Sequence, residues 1–185
     1  MHSDQRALFL DRDGIINEDL GHVCRIENFH FLPNVFAVCR RFRDAGFKLV
    51  VVTNQAGIAK GYYTVEDFII LSDWMSAEFI KAGAPLSGIY YCPHHPDGKV
   101  AEYRKICDCR KPAPGLLLRA QQDLRLNMSK SILVGDKDSD ILAGRAAGVE
   151  VCYLMRLGTC RQVASNLTPP PINVFSLKDI VQRLV

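Results

Sequence analysis

Four short segments of this 185-residue chain carry side chains suited to chemistry on a charged oxygen substrate. Asp11-Arg12-Asp13-Gly14 sets two carboxylates one residue apart, directly after the apolar Leu8-Phe9-Leu10. Thr53-Asn54-Gln55 closes Val50-Val51-Val52 with polar groups able to bind oxyanions, and Arg110-Lys111-Pro112 puts a cationic pair ahead of a helical pattern. Gly135-Asp136-Lys137-Asp138-Ser139-Asp140 follows Ile132-Leu133-Val134. Singly, each reads equally well as an ordinary turn at the end of a strand. Together they suit phosphoryl transfer. A phosphate monoester dianion repels a carboxylate nucleophile, so a divalent cation must offset the charge. Asp11 and Asp136 offer the hard oxygens that Mg²⁺ takes, with backbone, water and phosphate completing the octahedron. Lys111 and the Thr53 hydroxyl suit the equatorial phosphoryl oxygens, where transition-state charge spreads. Asp13 is left to protonate the leaving alkoxide and then deprotonate the attacking water.

Stepping outward from these residues, the chain alternates short apolar runs with helical periodicity. Strands are expected at Ala7–Leu10, Phe47–Thr53, Ile89–Tyr91, Ser131–Gly135, Val149–Leu154 and, after the stiff Thr168-Pro169-Pro170-Pro171 connector, Ile172–Phe175. Helices are expected over Pro33–Ala45, from the Thr64 cap to about Ala82, over Ala113–Leu124, from the fourth strand to about Ala147, and after the Ser176 cap. This alternation predicts a Rossmann-like α/β fold, a parallel sheet with helices on both faces, in a single domain over 1–185. Each carboxylate segment then falls at the C-terminal edge of a strand, where open α/β sheets keep their active sites. The segments after Asp13 and Thr53 are too short for a separate cap, so only loop insertions are expected.

A second constellation is Cys92-x-His94, twelve intervening residues, then Cys107-x-Cys109. Four soft or borderline ligands in two close pairs match a tetrahedral structural zinc site that folds an otherwise polar loop; the alternative is free thiols. Four protein ligands leave no open position for catalysis. His95 competes with His94 for the ligand position. The second cysteine pair directly precedes Arg110 and Lys111, so the metal would anchor those cations. Of the dispersed Cys24, Cys39, Cys152 and Cys160, Cys39 and Cys152 sit in apolar patterns and are expected to be buried.

The net charge of +3 is mild, and no basic run interleaved with aromatics suggests nucleic-acid binding. No stretch approaches the roughly 20 apolar residues of a membrane span, and the four-residue apolar run near the N-terminus stops at charge. A cytoplasmic monomer without membrane or nucleic-acid partners is therefore expected. An EF-hand counted from Asp11 fails, with Ile16 and His22 where Gly and Glu are needed, and no Gly-x-Gly-x-x-Gly follows the first strand.

The order Asp-x-Asp-Gly, strand-Thr, Lys-Pro and Gly-Asp-x-x-x-Asp resembles the haloacid dehalogenase-like phosphohydrolases. More narrowly, it is similar to the heptose 1,7-bisphosphate 7-phosphatases over about Leu8 to Gly158. The telling pieces are Phe9–Gly14, Thr53–Ala59, Tyr91–Pro96 and Cys107–Pro112. The resemblance implies an aspartyl-phosphate on Asp11, Asp13 as general acid/base, and Thr53 with Lys111 stabilising the phosphoryl group. It implies Mg²⁺ held by Asp11, Asp13 and Asp136, with Asp140 orienting the centre from behind, and zinc on Cys92, His94, Cys107 and Cys109. A sugar bisphosphate would contact Asp19, Leu20, Gly21, His22, Asn54, Gln55, Ala56, Arg110 and Lys137. The implied reaction removes the 7-phosphate in the synthesis of nucleotide-activated heptose for a lipopolysaccharide core. Two departures stand out. Ile15 replaces the usual Thr, which bears on the turn holding Asp13, where backbone amides are expected to do most of the work. His22 stands where an aromatic is expected. Histidinol-phosphate phosphatase is the rival within the enzyme class, and a zinc-binding interaction domain the rival outside it.

Overall fold

The six-stranded parallel sheet has the order β3-β2-β1-β4-β5-β6, from β1 (Arg6–Leu10), β2 (Phe47–Asn54), β3 (Leu86–Cys92), β4 (Ile132–Gly135), β5 (Val151–Met155) and β6 (Ile172–Val174). This computed structural model describes residues 4–156 and 165–182; Gly158 and Cys160 lie outside them. Alternation along the central strands builds the two cores. Leu8, Leu10, Leu49, Val51 and Val134 face one way, toward α1 (Val35–Asp44), α3 (Val65–Lys81) and α6 (Leu177–Val181). Ala7, Phe9, Val50, Val52 and Leu133 face the other, toward α4 (Gly115–Leu124) and α5 (Asp138–Ala146). A strand buried on both sides reads as an unbroken apolar run, which is what Ala7–Leu10 and Leu49–Val52 are. Cys39 and Cys152 are buried in these cores, as their patterns predict.

Each predicted strand and helix is present, with shifted ends. Helix α1 begins at Val35 because Asn34 is held in the left-handed region at φ 69°. Strand β3 extends to Leu86–Cys92 along its partner β2, support that its sequence does not advertise. Helix α2 (Ala56–Lys60) went unforeseen; its five residues are too few to show a period. Among the described residues, the stretch between β1 and α1 holds a 3-10 turn at Ile26–Asn28 and the isolated bridges Asp13–Asn17 and Asn17–Phe31, and that between β3 and α4 a 3-10 turn at Ala101–Tyr103. These are loop insertions, without a cap.

The site lies where β1 runs between β2 and β4. Leu10 pairs with Val51 on one side and Val134 on the other, and the Asp11 amide continues the ladder by donating to the Val134 carbonyl at 3.0 Å. The strand order reverses here, leaving a crevice above the carboxyl ends.

Thr64 caps α3 reciprocally: its hydroxyl accepts from the Asp67 amide at 3.1 Å, and its amide donates to the Asp67 carboxylate at 2.9 Å. The Thr64→Ala variant is expected to lose about 1 kcal/mol, read as a lower urea midpoint at unchanged slope.

Candidate active site

Asp11, Asp136 and Asp140 bring carboxylate oxygens within 4.8 Å of one another. Two glycines make that approach possible. A Cβ on Gly14, at φ +86°, would fall 2.5 Å from Asp136 Oδ2, and one on Gly135 would fall 2.2 Å from Asp140 Cβ. Lys111 supplies the balancing charge from a buried position. Its Nζ lies 3.0 Å from Asp11 Oδ1 and 2.6 Å from Asp140 Oδ1, and donates to the Val52 carbonyl at 2.8 Å. All three ammonium donors are thus engaged. Burial alone would push the lysine pKa down, but the Asp11 and Asp140 charges outweigh it and hold it above its ordinary value.

The carboxylates respond oppositely. Burial raises the Asp11 pKa against the pull of Lys111, and burial together with the Asp11 charge pushes Asp136 up to about 7. Asp136 Oδ1 is buried without a partner. Such an orphaned oxygen beside two further carboxylates is a donor set fitted to a hard divalent cation. Asp140 is tied on both sides, to Lys111 and, through Oδ2, to the Lys137 amide at 3.0 Å. The sequence reading placed it behind the centre; here it also stands within the cluster.

Asp13 sits apart from that cluster, on the pocket side. Its carboxylate accepts from Arg12, from Asn17 Nδ2 at 3.0 Å and from Gln55 Nε2 at 3.2 Å. The turn below it is carried by backbone, since the Arg12 carbonyl accepts from the amides of Ile15, Ile16 and Asn17. Ile15 itself is fully buried in the core.

The Thr53 hydroxyl oxygen accepts from Gln55 Nε2 at 2.9 Å, which leaves its own proton free to donate. Tyr63 fixes that amide by donating to Gln55 Oε1 at 2.5 Å, and burial holds the phenol's pKa well above its usual range. Asn54 clasps the Lys111 backbone, with Nδ2 on its carbonyl and Oδ1 on its amide, each at 3.0 Å.

A cleft of about 260 Å³ lies over these groups, lined by Asp13, Asp19, Gly21, His22, Asn54, Gln55, Ala56 and Lys137. Two expected contacts are not among its walls. Leu20 is exposed, and Arg110 directs Nη1 to the His94 carbonyl at 3.3 Å. The His22 ring packs 4.8 Å from that of the exposed Tyr62, which follows α2 and is not among the cleft's lining residues. Lys137 spans the mouth between Asp19, at 3.2 Å, and Asp136, at 3.4 Å. Sequence reasoning missed Arg12, Asn17 and Tyr63. Arg12 carried a signal in standing between two catalytic-type carboxylates, whereas Asn17 and Tyr63 carried none.

The cysteine cluster is equally compact. The Sγ atoms of Cys92, Cys107 and Cys109 lie 3.2 to 3.5 Å apart, and His94 Nδ1 is 3.3 Å from Cys109 and 3.7 Å from Cys92. These edges suit four ligands around one small cation and exclude a disulfide. His95 turns away, its Nδ1 accepting from the Asp97 amide. The loop bearing the cluster is stitched to the fold at both ends: Val100 donates to Ala59 of α2, and Gly115 of α4 to Asp108, each at 2.9 Å.

Comparison with known proteins agrees with this geometry. A HAD-hydrolase-like family model matches residues 108–179. D-glycero-beta-D-manno-heptose-1,7-bisphosphate 7-phosphatase of Yersinia pestis is 50% identical over 152 residues, 82% of this chain and 81% of that one. The D-glycero-alpha-D-manno-heptose-1,7-bisphosphate 7-phosphatase of Burkholderia mallei is also 50% identical, over 81% of this chain and 79% of its own. The solved D,D-heptose 1,7-bisphosphate phosphatase of B. bronchiseptica, complexed with magnesium and phosphate, superposes with a TM-score of 0.83 at 26% identity, over 97% of this chain and 98% of that one. With its sheet order, its carboxylate cluster and relatives at this identity, the chain belongs to the haloacid dehalogenase-like hydrolases, in the family of the heptose 1,7-bisphosphate 7-phosphatases.

Proposed function

We propose that this chain acts as a single-domain, magnesium-dependent phosphoric monoester hydrolase that removes the 7-phosphate of D-glycero-D-manno-heptose 1,7-bisphosphate. In this reading it works in the cytoplasm, in the supply of activated heptose for lipopolysaccharide. The observation that carries it is the carboxylate cluster around Lys111, in a chain half identical to phosphatases of that name.

Asp11 is the nucleophile: its oxygen bonds to phosphorus as the bond from phosphorus to the sugar oxygen breaks. Asp13 gives its proton to the leaving alkoxide, then takes one from the water that releases phosphate and restores Asp11. The Thr53 hydroxyl donates a hydrogen bond to a phosphoryl oxygen, and the Lys111 N–H now on Asp11 stays beside the group forming there. Asp11 and Asp136, with Asp140 beside them, would hold Mg²⁺, which when bound offsets the repulsion between carboxylates and phosphate; the Asp13 side chain, expected from the resemblance to join them, is held outside that set by Arg12 and Asn17. The cleft lined by His22 and Lys137 receives the sugar and its far phosphate.

Cys92, His94, Cys107 and Cys109 would hold zinc, which when bound cross-links the loop that leads into Arg110 and Lys111. That Asn54 clasps the Lys111 backbone supports a coupling between this loop and the phosphate site.

Four outcomes are expected. Phosphate release should require Mg²⁺ and vanish in Asp11→Asn; a wild type inactive on every phosphate ester would favour a zinc-binding interaction domain. Specificity constants for the α- and β-heptose bisphosphates should exceed that for histidinol phosphate, and the reverse order would replace the substrate. Cys107→Ala or Cys109→Ala should lower zinc content and activity together, by at least about tenfold in kcat. Finally, Asp136 makes stability depend on pH. Between its ordinary 3.8 and about 7, the folded protein keeps a proton that the unfolded chain releases. Its contribution to stability therefore falls as pH rises through that window. In magnesium-free buffer, Asp136→Asn should flatten the decline in urea midpoint from about pH 5 to about pH 7.5.

A further inference from the structure

Arg12 takes no part in the chemistry above, yet it is the largest side chain that is wholly buried, at 1% exposure. Its guanidinium grips the Asp13 carboxylate, with Nε at 3.2 Å and Nη2 at 3.0 Å from Oδ1, and Nη2 at 3.0 Å from Oδ2. Nη2 also donates to the Val23 carbonyl at 2.6 Å. The rings of Phe29 and Phe68 flank the group at 6.0 and 5.8 Å. Burying a cation is costly even when it is paired, so a guanidinium held here makes a poor device for stability alone. It is a good device for geometry. The planar fork fixes both the position and the plane of a carboxylate, which the point charge of lysine does not.

We propose that Arg12 is a positioning residue that sets the Asp13 carboxylate for proton transfer and ties the pocket segment 19–23 to it. The inference rests on the reading of Asp13 as acid and base. Left at the cleft wall with its side chain 15% exposed, Asp13 would sample other rotamers. Arg12 and Asn17, both donating to Oδ1, remove that freedom. Through Val23, the residues that meet the sugar and the group that meets its leaving oxygen share one anchor. A ligand that seats the segment therefore seats the acid.

The test exploits what a general acid is for. An alkoxide leaving group needs a proton, whereas p-nitrophenolate leaves without one. The second-order rate of the first turnover, which covers only steps up to transfer onto Asp11, is measured for heptose 1,7-bisphosphate and for p-nitrophenyl phosphate. The ratio of the two rates cancels the fraction of folded enzyme. Arg12→Lys should lower the sugar rate at least about tenfold more than the aryl rate. A loss of folded enzyme alone would lower both equally. Asp13→Asn should shift the ratio in the same direction and further. If Asp13→Asn shifts the ratio and Arg12→Lys does not, the positioning role is wrong. If Asp13→Asn leaves the ratio at its wild-type value, the acid is misassigned and the inference falls with it. Should Arg12→Lys fail to fold, Asn17→Ser takes its place. It removes one donor to Asp13 and keeps the fork, so it should move the ratio the same way by less. An unmoved ratio there overturns the proposal.

Discussion

Lys111 places an ammonium, with almost no exposure, between Asp11 at 3.0 Å and Asp140 at 2.6 Å, and these contacts let three carboxylates share one edge of the sheet. Without a buried cation, Asp11 and Asp140 would each carry an unpaired charge in a low-dielectric setting. With it, Asp11 and Asp140 share one compensating charge, and Lys137 stands 3.4 Å from Asp136. Burial, with the Asp11 charge beside it, displaces the Asp136 titration upward, and the net negative charge left on the cluster draws a dication.

Much of the surrounding structure serves to keep that ammonium in place. The backbone on either side of Lys111 is clasped by Asn54, which belongs to the end of β2. The residues just before it come from the cysteine loop, and that loop is fastened to α2 and α4. Thr53, Asn54 and Gln55 therefore divide their labour along three consecutive positions. The hydroxyl keeps its own proton available, the first amide holds the lysine, and the second amide joins Thr53 to Asp13. Buried polar networks of this kind work only when every member is satisfied, which Tyr63 achieves for Gln55.

The strand-end carboxylates, the strand-end threonine and the paired cysteines were legible in the sequence because each is a local pattern. A strand is announced by its apolar run, and a polar residue after it has only one edge to occupy. The roles of Asn54 and Gln55 were harder to read, because a polar side chain beside a pocket has no local feature saying whether it points in or out. Both line the cleft wall, while their amides are spent on the protein. Arg12 is the clearest case of what a linear reading hides. An arginine between two aspartates looks solvated, yet Val23, Phe29 and Phe68 gather around it in the fold and it is buried. Helix α2 escaped notice for a different reason, its brevity.

The parallel pairing of β1 has a consequence for how this protein comes into being. Leu10 meets Val51 and Val134, partners far along the chain in both cases, and no hairpin shortens either route. Contacts that close such long loops form slowly and late, since their entropy must be met before any burial rewards it. The carboxylate cluster needs β1 and β4 side by side, because Asp11 follows the one and Asp136 and Asp140 follow the other. During synthesis the Asp11 end must wait, unpaired on one side, until β4 has emerged.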